Sequence, residues 1–261
     1  MSGAPALKAS VEAAVKRALL DVDGSHDFSH IDRVRALSLR LAASEGISDA
    51  ATLCAIELGA LLHDTADWKY SGSDAANHAA ASRILSEAGA DGSLLSRVLA
   101  IVDGVGFSSE LAGGGTELPL ECAIVQDAGE MWVGKRAERK GKGECVCGAL
   151  TPPLRPNLPL NTADRLDAIG AIGIARCFTF GGAKGRVLHD PSVVPLDPAK
   201  MTKEEYRSAS RIHTTLNHFP EKLLTLREKM KTSSGRELAE TRHVVMQSFL
   251  EAFHMEWIGV R

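Results

Sequence analysis

The sequence predicts an all-α fold, a single globular helical domain interrupted by one disordered or loop insertion. Apolar residues recur every three or four positions along most of the chain, as they do on the buried face of a helix. No stretch alternates apolar and polar residues for long enough to make a sheet. Hydrophobic residues make up 44% of the 261 positions, so the chain can bury one substantial core.

The first half of the chain contains three predicted helices that lead to the strongest candidate site. One lies near the N-terminus, and the second stops at Gly46. Ser48 and Asp49 both offer caps to a third helix, which is so apolar between Leu53 and Leu62 that we expect it to be central and buried. This third helix ends at His63-Asp64.

The same periodicity predicts six further helical segments. Glycines stop the first two, and Thr162 caps one in which Gly170 and Gly173 permit close packing. The segments cover residues 74–87, 91–103, 117–127, 162–174, 216–230 and 238–257.

Residues 129–161 break the helical pattern. They carry a basic run from Lys135 to Lys142 and four prolines close together, a composition that neither packs nor stays helical. We interpret the segment as an irregular surface insertion, because long structureless loops are uncommon inside a domain. The domain itself is then predicted to consist of residues 1–128 and 162–261.

A mixed set of histidines and aspartates carries the chemistry. The dipeptide His-Asp occurs three times, but only His63-Asp64 ends the most apolar helix, where burying both groups is costly unless something binds them. His30 and Asp164 each lie on the first turn of another predicted helix. Such a set suits one divalent ion, which could be Mn²⁺, Mg²⁺, Co²⁺, Ni²⁺ or Fe²⁺, and it does not suit a structural zinc.

The order His30, His63-Asp64, Asp164 resembles the H…HD…D signature of the HD superfamily of metal-dependent phosphohydrolases. The resemblance extends to longer segments and is specific to a subfamily related to bacterial nucleotide pyrophosphohydrolases. These segments are SHDFSHIDRV (25–34), ALLHDTADWKY (60–70), ADRLDAIGAIGIAR (163–176) and HFPEKLLTL (218–226). No paired histidines follow the HD helix, which favours one metal ion over two.

The sequence departs from the subfamily in one place. The subfamily runs through as VQDADRLDAIG, whereas this chain reads VQDA at 125–128 and resumes with ADRLDAIG at 163. Ala128 and Ala163 occupy the same family position. A retained intron or mis-spliced gene is one hypothesis for the insertion, and transcript sequencing across the junction tests it.

The resemblance implies an enzyme that hydrolyses a nucleoside triphosphate to a monophosphate and pyrophosphate through a metal-activated water. Asp64 and Asp67 are the predicted catalytic carboxylates, Asp67 through proton transfer. Two alternatives stay open: a nucleotide phosphomonoesterase, and a catalytically dead HD-fold binding or regulatory module in which the insertion displaces Asp164.

We expect the substrate to be a small phosphorylated molecule, and more specifically a nucleotide. Arg33 lies one turn after His30, and we predict that it binds phosphate together with Lys69, Lys184 and Arg186, the last two on a glycine-rich loop. A solvated turn is the alternative for that loop.

Charge and composition exclude other classes of partner. The formal net charge of -3 gives no basic field for obligate nucleic-acid binding, and no apolar stretch is long enough to span a membrane. The odd number of cysteines, five, indicates a reducing compartment. We therefore expect a cytoplasmic protein, and the sequence leaves a homodimer open.

Overall fold

The fold is built from α-helices in the part of the chain that the structure describes. This computed structural model describes residues 4–20, 27–65, 74–105, 119–128, 165–200 and 212–260. The α-helices are α1 (Ala4–Ala18), α2 (Phe28–Ser44), α3 (Ala50–Leu62), α4 (Asp74–Glu87), α5 (Gly92–Val105), α6 (Leu120–Ala128), α7 (Gly170–Ala183), α8 (His218–Glu221) and α9 (Ser233–Trp257). A 3₁₀ helix, Leu223–Lys229, lies between α8 and α9.

These helices confirm the all-α prediction. Within the described ranges the β-type pairing amounts to one isolated bridge, between Val187 and Thr214. Among the helices described here, none is long and apolar enough to cross a membrane. The predicted insertion, residues 129–161, lies outside the described residues.

Helix α3 is central, as its composition predicts. Every residue from Cys54 to Leu62 is buried, and α3 packs against α1, α2, α5 and α6. The Asp49 carboxylate caps its first turn by accepting a hydrogen bond of 2.7 Å from the backbone N–H of Thr52. Helix α2 ends before Gly46, whose φ of +82° lies in the left-handed region that glycine adopts without strain.

Glu57 is a buried carboxylate within this apolar helix. Its side chain is 8% exposed and forms ion pairs with Lys8 of α1 and Arg35 of α2. The Nε of Arg35 donates to Oε1 at 2.9 Å. Burial alone would raise the pKa of Glu57, but these two partners outweigh it and hold the pKa below its ordinary value. Glu57 therefore links α1, α2 and α3 through its two ion pairs.

We expect Glu57→Gln to lower the free energy of unfolding by about 2 kcal/mol at pH 7, because it leaves two cations without their shared carboxylate. Since the pKa of Glu57 is depressed in the folded state, its contribution is complete above the ordinary value of 4.5 and is lost below it. The difference between variant and wild type should thus shrink as the pH falls below 4.5. Urea unfolding across this pH range measures it. A constant difference down to pH 3 would contradict the assignment, and Glu240→Gln, on an exposed pair with Arg227, is the matched control.

Two predicted helices have the wrong limits. The helix expected from Thr162 begins at Gly170 instead, and residues 165–169 are irregular. Gly170 has a φ of +75°, which interrupts a right-handed helix. The buried side chains of Arg165 and Asp167 in this irregular stretch make polar contacts rather than following a helical face.

The prediction of one long helix over residues 216–230 is also wrong. It is divided into α8 and the 3₁₀ helix, with Lys222 at a non-helical φ of -139° between them. Pro220 accounts for the late start of α8. A proline has no N–H to donate to the carbonyl four residues earlier, here Leu216, and its ring collides with that carbonyl.

Gly173 shows how closely the irregular stretch packs on α7. A Cβ atom at this position would collide with the backbone carbonyl of Ala168. We expect Gly173→Ala to lower the free energy of unfolding by roughly 3 kcal/mol, because backbone cannot yield as a side chain can. Thermal or urea unfolding measures the change.

Gly182 provides the control on the same helix. Nothing lies within 4 Å of a Cβ built there, so Gly182→Ala should leave stability unchanged or raise it by about 0.5 kcal/mol through helix propensity. Equal effects of the two substitutions would show that the Ala168 contact does not limit position 173.

Candidate metal centre

Two histidines from different helices meet in the core. His30 lies on the first turn of α2, and His63 is the C-cap of α3. Both side chains are fully buried, and their ring centroids are 5.4 Å apart with an angle of 69° between the planes. The structure thus brings together two of the four residues that the sequence predicts as metal ligands.

The His63 ring is held by its own helix. Its Nδ1 lies 2.7 Å from the carbonyl oxygen of Ala60, so Nδ1 carries the proton and Nε2 carries the lone pair. Nε2 is buried and has no hydrogen-bond partner among the described residues. The carboxamide of Asn77 donates to the His63 carbonyl at 2.6 Å, and Asp64 follows directly, 7% exposed. A buried imidazole nitrogen with an unused lone pair, followed in the sequence by a carboxylate, has the donor chemistry of a divalent-metal site.

The His30 ring is held by Asp167. His30 Nδ1 donates to Asp167 Oδ2 at 2.9 Å, which leaves Nε2 as the nitrogen that carries the lone pair. The same carboxylate accepts two hydrogen bonds from Arg33, from Nε at 2.8 Å and from Nη2 at 3.0 Å. Arg176 Nη1 donates to Oδ2 at 3.0 Å. Asp167 therefore joins α2, α7 and the irregular stretch between the insertion and α7.

Asp167 is a site residue that the sequence analysis missed. It lies in the segment ADRLDAIG at 163–170, three residues after Asp164, and the segment was itself the signal. The family signature gives the first of these aspartates a role as ligand and the second none. An aspartate flanked by the apolar residues Leu166 and Ala168 is the signal that could have indicated a polar network.

The protonation states in this network suit metal binding. Burial lowers the pKa of His30 to about 3, with the charge of Arg176 acting in the same direction. Burial likewise lowers the pKa of His63 to about 4. For Asp167 burial acts upwards, but hydrogen bonds from His30 and Arg33 outweigh it and the pKa lies below its ordinary value. At neutral pH both imidazoles are therefore neutral and Asp167 is an anion.

The predicted phosphate-binding residues fall into different places. Arg33 lies beside the histidines, 34% exposed and paired with Asp167. Lys184 and Arg186 lie at the C-terminal end of α7, where each places its cationic group over the ring of Phe180, at 5.7 Å and 5.1 Å from the centroid. Gly181 and Gly182 lie in the last turn of α7, whereas Lys184 and Gly185 form a turn after the helix, so the loop expected from the composition begins only after Ala183.

The remaining predicted site residues lie outside the described residues: Asp164, Asp67 and Lys69. In the described part of the chain, no group of three or more His, Cys, Asp and Glu side chains could by itself hold a metal ion. The donor types of His30, His63 and Asp64 nevertheless suit the predicted ion, because two imidazoles supply neutral nitrogen and a carboxylate supplies oxygen. They are three of the four predicted ligands.

Comparison with known proteins places this chain in a family. No model of a known protein family matches the sequence. The protein YpgQ of Bacillus subtilis strain 168 is 28% identical over 246 residues, which are 94% of this chain and 91% of that protein. A solved structure of YpgQ in complex with ADP is 26% identical, with coverage of 99% and 98% and a TM-score of 0.62.

Two further solved structures are similar over nearly their whole length. A Lactobacillus plantarum protein is 30% identical, with 97% of each chain covered and a TM-score of 0.66. An HD-superfamily hydrolase from Bacillus thuringiensis is also 30% identical, with 97% of each chain covered and a TM-score of 0.62. The chain belongs to the HD superfamily of hydrolases, which confirms the resemblance at the level of the superfamily, whereas the subfamily stays a prediction.

Proposed function

We propose that this protein is a divalent-metal-dependent phosphohydrolase that cleaves a nucleoside triphosphate to the monophosphate and pyrophosphate. One ion would be held by His30, His63, Asp64 and Asp164, with Mn²⁺ as the preferred metal. The observation that carries the proposal is the pair of neutral, buried imidazoles beside Asp64, of which His63 presents an Nε2 with no hydrogen-bond partner among the described residues.

The residues of the proposed site would have separate roles in hydrolysis. A divalent ion at this site would lower the pKa of a water molecule and polarise a phosphoryl oxygen. Asp67 would take up or deliver a proton at the reacting oxygens. Arg33 would place a guanidinium beside the negatively charged phosphates, on the same helix as His30 and one turn further on. Lys69, Lys184 and Arg186 remain further candidates for phosphate contacts.

Chain connectivity supports Asp164 as the fourth ligand despite the insertion. Asp167 contacts His30 directly, at 2.9 Å. Asp164 precedes Asp167 by three residues, and three residues span at most about 11 Å. The chain after the insertion therefore returns to the histidines, which favours an enzyme over a module with a displaced Asp164.

The similar protein YpgQ supports a nucleotide as the substrate class, since it has been solved in complex with ADP. A nucleotide carries both features that the proposed site addresses: phosphoryl oxygens for a metal ion and negative charge for Arg33. The bond that is cleaved distinguishes the two candidate enzyme activities. A pyrophosphohydrolase releases pyrophosphate first, and a phosphomonoesterase releases orthophosphate.

The test uses the full chain, stripped with EDTA and reloaded with single divalent metals. We expect nucleoside triphosphate hydrolysis only after metal is restored, with pyrophosphate and monophosphate as the first products. Orthophosphate from monophosphates would favour the phosphomonoesterase instead. Absence of metal-dependent turnover with every nucleotide would refute both enzymatic readings.

A deletion variant tests the inactive alternative and the domain prediction together. Removing residues 129–163 joins Ala128 to Asp164 and restores the subfamily sequence VQDADRLDAIG. If the insertion is peripheral, as we propose, the deletion variant and the full chain should show similar turnover. Activity in the deletion variant alone would show that the insertion inactivates the full chain.

A further inference from the structure

Asp167 makes more hydrogen bonds than an ion pair requires. Its Oδ2 accepts from His30 Nδ1 at 2.9 Å, from Arg176 Nη1 at 3.0 Å and from Arg33 Nη2 at 3.0 Å. Its Oδ1 accepts from Arg33 Nε at 2.8 Å. The Asp167 side chain is 1% exposed and that of His30 is 0% exposed. A buried carboxylate with four donors has a fixed orientation, and so has the imidazole bonded to it.

We propose that Asp167 is a positioning residue, which holds His30 in the tautomer whose Nε2 carries the lone pair and directs that nitrogen at the metal. The proposal deepens the proposed function, because it assumes that His30 binds the metal. A neutral imidazole can carry its proton on either nitrogen, and only the form with Nδ1–H can bind a metal through Nε2. A carboxylate facing Nδ1 selects this form, since it accepts hydrogen bonds and cannot donate them.

Arg33 and Arg176 complete the arrangement. Their guanidinium groups donate to both oxygens of Asp167, so the carboxylate is held in one orientation, with Oδ2 towards His30 Nδ1. They thereby act on His30 through Asp167.

The two histidines are thus oriented by different means. The carbonyl of Ala60, in the same helix, selects the tautomer of His63. The tautomer of His30 depends on Asp167, which lies 137 positions away in the sequence. Because Asp167 lies in the stretch that follows the insertion, the geometry of His30 depends on how that stretch packs against α2. We therefore expect metal affinity to respond to Asp167 although it binds no metal.

The test is a double-mutant cycle read by Mn²⁺ binding to the metal-stripped full chain. Asp167→Asn should weaken Mn²⁺ binding by about 10-fold to 100-fold, as loss of a residue that orients a metal ligand does. In a His30→Ala background the same substitution should change affinity by about twofold or less. Asp32→Asn, an exposed aspartate on α2, is the matched control and should not alter binding. Equal weakening in both backgrounds would overturn the proposal, because Asp167 would then not act through His30.

A second measurement needs no metal and no stable variant. Nitrogen-15 NMR of the imidazole rings in the metal-free wild type distinguishes a protonated ring nitrogen from a bare one. We expect His30 to carry its proton on Nδ1, and a proton on Nε2 would overturn the proposal. Failure of the wild type to bind Mn²⁺ would instead count against the proposed function, whereas the tautomer result would still decide the orienting role of Asp167.

Discussion

Asp64→Ala is expected to reduce metal-dependent phosphohydrolase activity by about a thousandfold or more, the largest effect of any single substitution in this protein. Asp64 would supply the carboxylate next to His63, and its loss removes one ligand and part of the negative charge that offsets the ion. Both kcat and bound metal should fall. Nucleotide hydrolysis with saturating Mn²⁺ and metal analysis of the dialysed protein measure the two quantities.

An exposed aspartate serves as the control for this substitution. Asp32 lies on α2 with its side chain 63% exposed, so Asp32→Ala should keep wild-type activity and metal content. Circular dichroism should show the same helical content in both variants. Activity of Asp64→Ala comparable with the wild type would remove this residue from the proposed site.

Asp167→Asn is expected to lower the free energy of unfolding by about 3 kcal/mol in the metal-free protein. Asparagine has the shape of aspartate, but it leaves two guanidinium groups without a counter-charge and turns an NH₂ group towards donors. Arg176 is 9% exposed, so water compensates little of that loss, whereas Arg33 is 34% exposed and is better solvated. Urea unfolding in EDTA separates this effect from metal binding.

The corresponding control is Asp32→Asn, which should change stability by less than about 0.5 kcal/mol, as is usual for exposed positions. A loss below about 1 kcal/mol for Asp167→Asn would mean that the network contributes no more than one ordinary hydrogen bond. The residue would then be a minor element of the core, and its strong pairing in the structure would need another explanation.

Local rules predicted much of the fold. The apolar run of α3, the Asp49 cap and the Gly46 stop depend on residues within a few positions of each other, and each prediction is confirmed. The rules were wrong where a backbone exception decides the limits: the left-handed Gly170 at the start of α7 and the proline within α8. Periodicity averages over a segment, so it does not detect one residue that ends a helix.

The sequence by itself determined the helical class, the HD resemblance and the choice of His30 and His63, because these follow from patterns and residue types along the chain. Only the tertiary structure decided how the rings are oriented and which groups pair with them. Asp167 meets His30 across 137 positions, and Glu57 joins Lys8 and Arg35 from two other helices. Such contacts depend on how helices pack, since a buried charge must find its partners in space rather than along the sequence.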